Sequence, residues 1–168
     1  MSSTLRVLIF VLVAVSCFGC DRVSKIAART GLQGVAPRAY LGNIVILEYE
    51  ENQGAMLSIG AGLSEETRFW VFTVGIAVLV IVLSLFIFNQ SHTIAEIGAG
   101  ALAIGGGLGN LVDRLSYGGA VVDFVSIGIG PLRTAVFNVA DISILTGVLL
   151  YFLSVYRRKL AAKPPSSP

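Results

Sequence analysis

The chain has 168 residues, of which 55% are hydrophobic and only 13% charged, with a net charge of +2 and a mean hydropathy of +0.82. An ordinary soluble domain carries roughly a quarter charged residues, so a water-soluble globule is excluded, and so is disorder. The 12 Lys and Arg residues are scattered, which leaves no basic stripe to track phosphates and implies no nucleic-acid partner.

A single membrane-embedded domain over residues 1–168 remains, and a bilayer core needs about 20 mostly apolar helical residues per crossing. Four segments qualify. The first, about 5–20, is uncharged apart from Arg6. Between it and the next span, Asn43 to Glu50 is rich in β-branched residues and reads as a strand. The second span, 69–88, holds no charge, and Ser64-Glu65-Glu66 ahead of it is an N-cap signal with acidic residues in the first turn. The third, 94–115, contains Gly98, Gly100, Gly105, Gly106, Gly107 and Gly109. Glycines let membrane helices approach closely, so this is the expected central packing helix. Ala120 to Ile129 reads as a second strand, and both strands are expected in a small sheet lying on the membrane. The fourth span, 137–156, carries Asp141 about one turn from its start. A tail from about 160 to 168, ending Lys163 to Pro168, reads as disordered.

Basic residues beside spans stay on the cytoplasmic side. Arg157, Arg158, Lys159 and Lys163 crowd the C-terminus, and four spans then place the N-terminus with Arg6 inside as well. Asn89 to Thr93 becomes a short inner loop. The connections 21–68 and 116–136 face outward.

Arg6, the apolar run and Cys17-Phe18-Gly19-Cys20 imitate a lipoprotein export signal, but three more spans follow. The Cys-x-x-Cys spacing also lacks the βαβ context of a redox motif or the second cysteine pair of a zinc site. Small apolar helix residues are the better reading. Asp21-Arg22-Val23-Ser24 and Asp113-Arg114-Leu115-Ser116 echo each other, a match short enough to be chance.

Ionisable groups at membrane depth are expensive and mark functional candidates. Here they are Asp21, Lys25, Asp113, Arg114, Asp123 and Asp141, all at or near the outer face. The single histidine, His92, lies in the inner loop, so a Ser/His/Asp triad is excluded there, and no His-Glu-x-x-His zinc helix exists. A Ser/Lys dyad would have to use Lys25. Aspartate is the abundant acid, and two held together share a proton, one serving as base toward water and the other as acid toward a carbonyl.

These residues fall into five ordered motifs. Asp21-Arg22-Val23-Ser24-Lys25 fits D-x-x-S-K, Asn52-Gln53-Gly54-Ala55 fits N-x-G-A, and Gly106 to Arg114 fits G-G-x-x-G-N-x-x-D-R. Val121-Val122-Asp123-Phe124 and Phe137-Asn138-Val139-Ala140-Asp141 fit V-V-D-F and F-N-x-A-D. Together they resemble lipoprotein signal peptidase, the bacterial signal peptidase II family of aspartic peptidases.

The resemblance implies four transmembrane helices, an extracytoplasmic β-sheet cradle and a short surface helix in the inner membrane of a bacterium, with the active site near the outer face. It implies endoproteolysis of diacylglyceryl-modified prolipoproteins just before the lipid-bearing cysteine, without metal or organic cofactor, and inhibition by cyclic peptides. Carried over by motif, Asp123 and Asp141 are the catalytic pair, and Asn52, Gly54, Asn110, Arg114 and Asn138 line or support the substrate site. Asp21, Lys25 and Asp113 stand behind them, either as an ion-pair framework or with a direct role. The chain departs from the family's N-x-G-A-A-F-S at Met56 and Leu57, which bears on substrate fit or inhibitor affinity. Two rival readings are an inactive homologue that binds lipoprotein precursors and a transport subunit relaying protons. A relay needs a polar inward path, and span two offers only Thr73 and Ser84, the inner half of span four only Thr146 and Ser154.

Overall fold

The computed structural model describes residues 2–54, 59–60, 62–89 and 92–161. The expectations for Ala55, Met56, Leu57 and Ser58, for residues 90–91 of the inner connection and for the tail from 162 lie outside them. Four helical stretches are long and apolar enough to cross a membrane. They are α1 (Ser3–Leu32), a continuous run made of α2 (Glu65–Arg68), a π-helical turn (Phe69–Val74) and α3 (Gly75–Asn89), then α4 (Ile94–Ser116) and α5 (Val139–Ala161). Ser64 caps α2, its hydroxyl accepting from the Thr67 N–H at 3.3 Å. The short surface helix is not a separate element among the described residues, because α2 runs straight into the second span.

Three boundaries differ from the sequence expectation. At about 1.5 Å per residue, the 30-residue α1 is far longer than the bilayer core, so Asp21 to Lys25 ride on the helix instead of following it. The fourth helix starts at Val139, not at 137. Phe137 instead makes a β-bridge to Val125, and Asn138 becomes the helix's N-cap. At the far end, Leu160 and Ala161 extend the helix and do not belong to the tail.

More than half of α4's most apolar stretch is buried, against less than a fifth for the other three spans. Its glycines explain why. A Cβ on Gly106 would lie 2.5 Å from the Ala140 carbonyl oxygen and 2.9 Å from Ile144 Cγ1, so α4 and α5 touch there backbone to backbone. Small residues replace bulky side chains where membrane helices meet this closely.

The outer segments form one four-stranded antiparallel sheet in the order β1 (Arg38–Tyr40), β2 (Val45–Asn52), β3 (Val121–Ile129), β4 (Leu132–Arg133). The two central strands are the expected ones, shifted by one or two residues. The short outer strands were not anticipated. In the β2–β3 ladder Glu50 pairs with Asp123, and Asn52 with Val121. That register sets the end of β2 beside the one acidic residue of β3.

Candidate active site

The start of α5 fixes the first carboxylate. Asn138 and Asp141 are N-cap and N3, and they cap reciprocally: the Asp141 N–H donates to Asn138 Oδ1 at 2.9 Å, and the Asn138 N–H donates to Asp141 Oδ2 at 3.1 Å. This is the capping-box arrangement with Asn and Asp in the two roles. The other carboxylate oxygen of Asp141 receives Asn110 Nδ2 from α4 at 2.9 Å. One backbone donor and one side-chain donor thus fix the two oxygens of Asp141 in place.

The same Asn138 reaches the second carboxylate. Its Nδ2 donates to Asp123 Oδ1 at 2.6 Å, and Asn52 Nδ2 donates to Asp123 Oδ2 at 3.1 Å. Asn52 is itself locked by an Asx turn, accepting from the Gly54 N–H at 2.9 Å. Arg114 Nη2 then donates to the Gly54 carbonyl at 3.0 Å, and its guanidinium stands 6.0 Å from the Phe72 ring centre in the π-helical turn. Asp123 is almost wholly buried. Burial, reinforced by the charge of Asp141, pushes its carboxyl up to about 7, against the pull of the Asn52 and Asn138 hydrogen bonds.

Behind the pair sits a four-charge framework. Lys25 Nζ donates to Asn110 Oδ1 at 2.7 Å and forms ion pairs with Asp113 Oδ2 at 2.9 Å and Asp21 Oδ2 at 3.0 Å. Asp113 also pairs with Arg22 and accepts the Val122 N–H at 3.2 Å. Asp21 Oδ1 accepts the Ala140 N–H of α5 at 2.9 Å. A Cβ on Gly109 would overlap the Asp21 carboxylate, so the last glycine of the Gly106 to Arg114 motif makes room for it. Two anions and two cations cancel, which is the condition for burying them.

Every site residue expected from the sequence is therefore in one connected network. The sequence reading missed Arg22, whose pairing with Asp113 is hidden in the supposed echo. The two halves of that echo do different work: Arg22 binds Asp113, and Arg114 binds Gly54. His92, expected in an inner loop, is buried against Glu96, with Nδ1 3.2 Å from Glu96 Oε2. Glu96 was missed as well, although Thr93-x-x-Glu96 is a capping box that closes the start of α4. Arg158 of α5 stands 3.4 Å from the same oxygen, tying the α4 and α5 ends opposite the Asp pair. Cys17 is buried, its Sγ 3.6 Å from the Leu102 carbonyl, whereas Cys20 is exposed, and both are free.

The chain is similar over most of its length to known bacterial membrane peptidases. A family model described as Signal peptidase (SPase) II matches residues 13–157. The lipoprotein signal peptidase of Clostridioides difficile is 32% identical over 151 residues, 89% of this chain and 94% of that protein. That of Moorella thermoacetica is 34% identical over 144 residues, 84% of this chain and 88% of that protein. A solved bacterial membrane enzyme superposes with a TM-score of 0.75 at 25% identity, covering 99% of this chain and 96% of that one. With the family profile spanning all four helices and the network that joins them, this multi-pass membrane protein belongs to the signal peptidase II family, the peptidases that remove signal peptides from prolipoproteins.

Proposed function

We propose that Asp123 and Asp141 are the catalytic dyad, cutting a diacylglyceryl-modified prolipoprotein just before its lipid-bearing cysteine. The observation that carries this reading is Asn138, one residue whose backbone and side chain hold both carboxylates at once. Asp141, supplied with hydrogen bonds suited to an anion, takes a proton from the attacking water. Asp123, which keeps its proton up to about pH 7, gives it to the scissile carbonyl oxygen as the water oxygen bonds to carbon. On collapse, Asp141 passes its proton to the leaving cysteine nitrogen and Asp123 recovers one from the diol. Asn52, Gly54 and Arg114 border the substrate's backbone. The decisive experiment is cleavage of a lipid-modified precursor by the purified full-length protein, and binding without cleavage would leave the inactive-homologue reading.

The protonated state of Asp123 sets a pH limit. Below about 7 the dyad keeps that proton, and above it Asp123 ionises and the acid is lost. The expected kcat/KM therefore falls about tenfold per pH unit above 7. A profile still rising at pH 9 would remove Asp123 from the acid role.

In the proposed orientation both termini lie in the cytoplasm and the dyad lies near the outer face of the inner membrane. Arg157, Arg158 and Lys159 end α5 and Arg6 begins α1, and basic flanks stay inside. Cysteine placed at exposed Glu50, with Cys20→Ser removing background, should react with a membrane-impermeant maleimide in spheroplasts. Reaction only after lysis would invert the topology.

A further inference from the structure

The far end of the sheet is apolar where a water-facing hairpin would be polar. Two turns meet there. One joins β1 to β2 through Leu41, Gly42, Asn43 and Ile44, and the other joins β3 to β4 through Gly130 and Pro131. The register puts them at the same end, because Val45 pairs with Ile127 and the Gly128 N–H donates to the Ile44 carbonyl at 2.9 Å. Arg133 ties them further, donating through Nη1 to the Ile44 carbonyl at 3.3 Å and through Nη2 to the Asn43 carbonyl. The joined tips expose Leu41 (74%), Ile129 (76%) and Leu132 (83%), with Ile44 and Ile127 beside them.

Leu41 also has a backbone cost. Its φ of 52° begins a run of three left-handed residues that continues through Gly42 (64°) and Asn43 (68°). Glycine or asparagine suits such a position, whereas leucine is strained there. A strained leucine that is three-quarters exposed gains little from packing among the described residues to offset the strain, which points to a covering group from outside the chain.

We infer that the paired tips of the sheet dip into the headgroup boundary of the outer leaflet and anchor the sheet to the bilayer beside its own helices. Three features select lipid over a protein partner. The sheet is tethered to spans at short range: β3 starts five residues after α4 ends, and α5 starts six after β4 ends. From Tyr40 to Ile44 and from Ile127 to Leu132 there is no charged residue, and Tyr40 is half exposed, an aromatic suited to the membrane boundary. Arg38, exposed at the start of β1, adds a cation for headgroup phosphates. Open strand edges do not enter the hydrocarbon itself, so contact stops at the boundary and only the branched side chains go deeper. This inference rests on the membrane-spanning fold and not on the chemistry of the dyad.

The test measures depth in full-length protein reconstituted in phosphatidylglycerol-containing nanodiscs. Nitroxide labels are placed singly at Leu41→Cys, Leu132→Cys and, as the control at the opposite end of the sheet, Glu50→Cys, each with Cys20→Ser. Collisions with oxygen relative to a water-soluble nickel chelate should be at least about fivefold more frequent at positions 41 and 132 than at position 50. Ratios equal to the control would place the tips in water and overturn the inference. Exclusion of both quenchers would also overturn it, by showing protein contact in place of lipid. As a second measurement, Leu41→Gly should raise or preserve the melting temperature in detergent, and a clear loss would show that Leu41 is held by the fold itself.

Discussion

Asp123→Asn and Asp141→Asn each lower turnover by at least about 10⁴-fold, while the protein still accumulates folded in the membrane. A positioned acid or base contributes roughly 10² to 10⁴ in rate, and groups acting as one unit lose more when either is removed. Each substitution keeps the shape of the side chain but not its proton. In Asp123→Asn one of the two donors from Asn52 and Asn138 faces an NH2 group, and leaving that donor unsatisfied costs about 1 to 3 kcal/mol. In Asp141→Asn the same happens to either Asn110 or the Asn138 N–H. Both costs lie within the stability of a typical domain. Turnover of a lipid-modified precursor, alongside melting in detergent, separates chemistry from folding. Near-normal cleavage by either variant would end the dyad mechanism.

How much of this was legible depended on whether a residue's partner lay nearby in sequence. The four apolar helices, the two central strands and the Ser64 cap follow from local pattern, and the structure contains each of them, the strands within two residues of the expected bounds. The length of α1 did not follow, for an identifiable reason. Its buried stripe runs Ala14, Cys17, Asp21, Lys25, Ala28, Leu32, a regular three-and-four spacing of a helix face. Two of those six positions hold charges, so an apolar periodicity breaks at Asp21 although the helix does not. Tertiary partners from α4 and α5 make those charges burial-compatible, and no local rule shows them. The same stripe explains Cys17, which faces α4, and Cys20, which does not. β4 has two residues and exists only because β3 offers an edge. The Asn138–Asp141 box, by contrast, was open to reading as an Asn-x-x-Asp cap, and so was Thr93-x-x-Glu96. The motif resemblance assigned Asn138 to the substrate site and Asp141 to the catalytic pair without showing the cap that joins them, and Thr93-x-x-Glu96 lies outside the motifs.

Lys25 decides whether the framework behind the dyad is structural, catalytic or both. Its ammonium joins Asp21, Asp113 and Asn110 at a single point, and both carboxylates are fully buried. Lys25→Met leaves the cluster with two buried anions and one cation, Arg22. Breaking a buried pair in this way costs about 3 to 5 kcal/mol, so the variant should melt far below the parent or fail to accumulate. Adding Asp21→Asn restores neutrality, because Arg22 remains to balance Asp113, and the amide oxygen introduced at position 21 is still able to accept the Ala140 N–H. The double variant should therefore recover most of the stability. Turnover should not recover with it, because Asn110 has lost the donor at 2.7 Å that orients its amide toward Asp141, and a misdirected Asn110 lets the base shift. The expected result is a kcat lowered by about 10- to 100-fold with KM little changed, since no group bordering the substrate has been altered. A stable Lys25→Met single variant would remove the framework role. A double variant with full turnover would show that Lys25 holds the helices together and does nothing for the dyad.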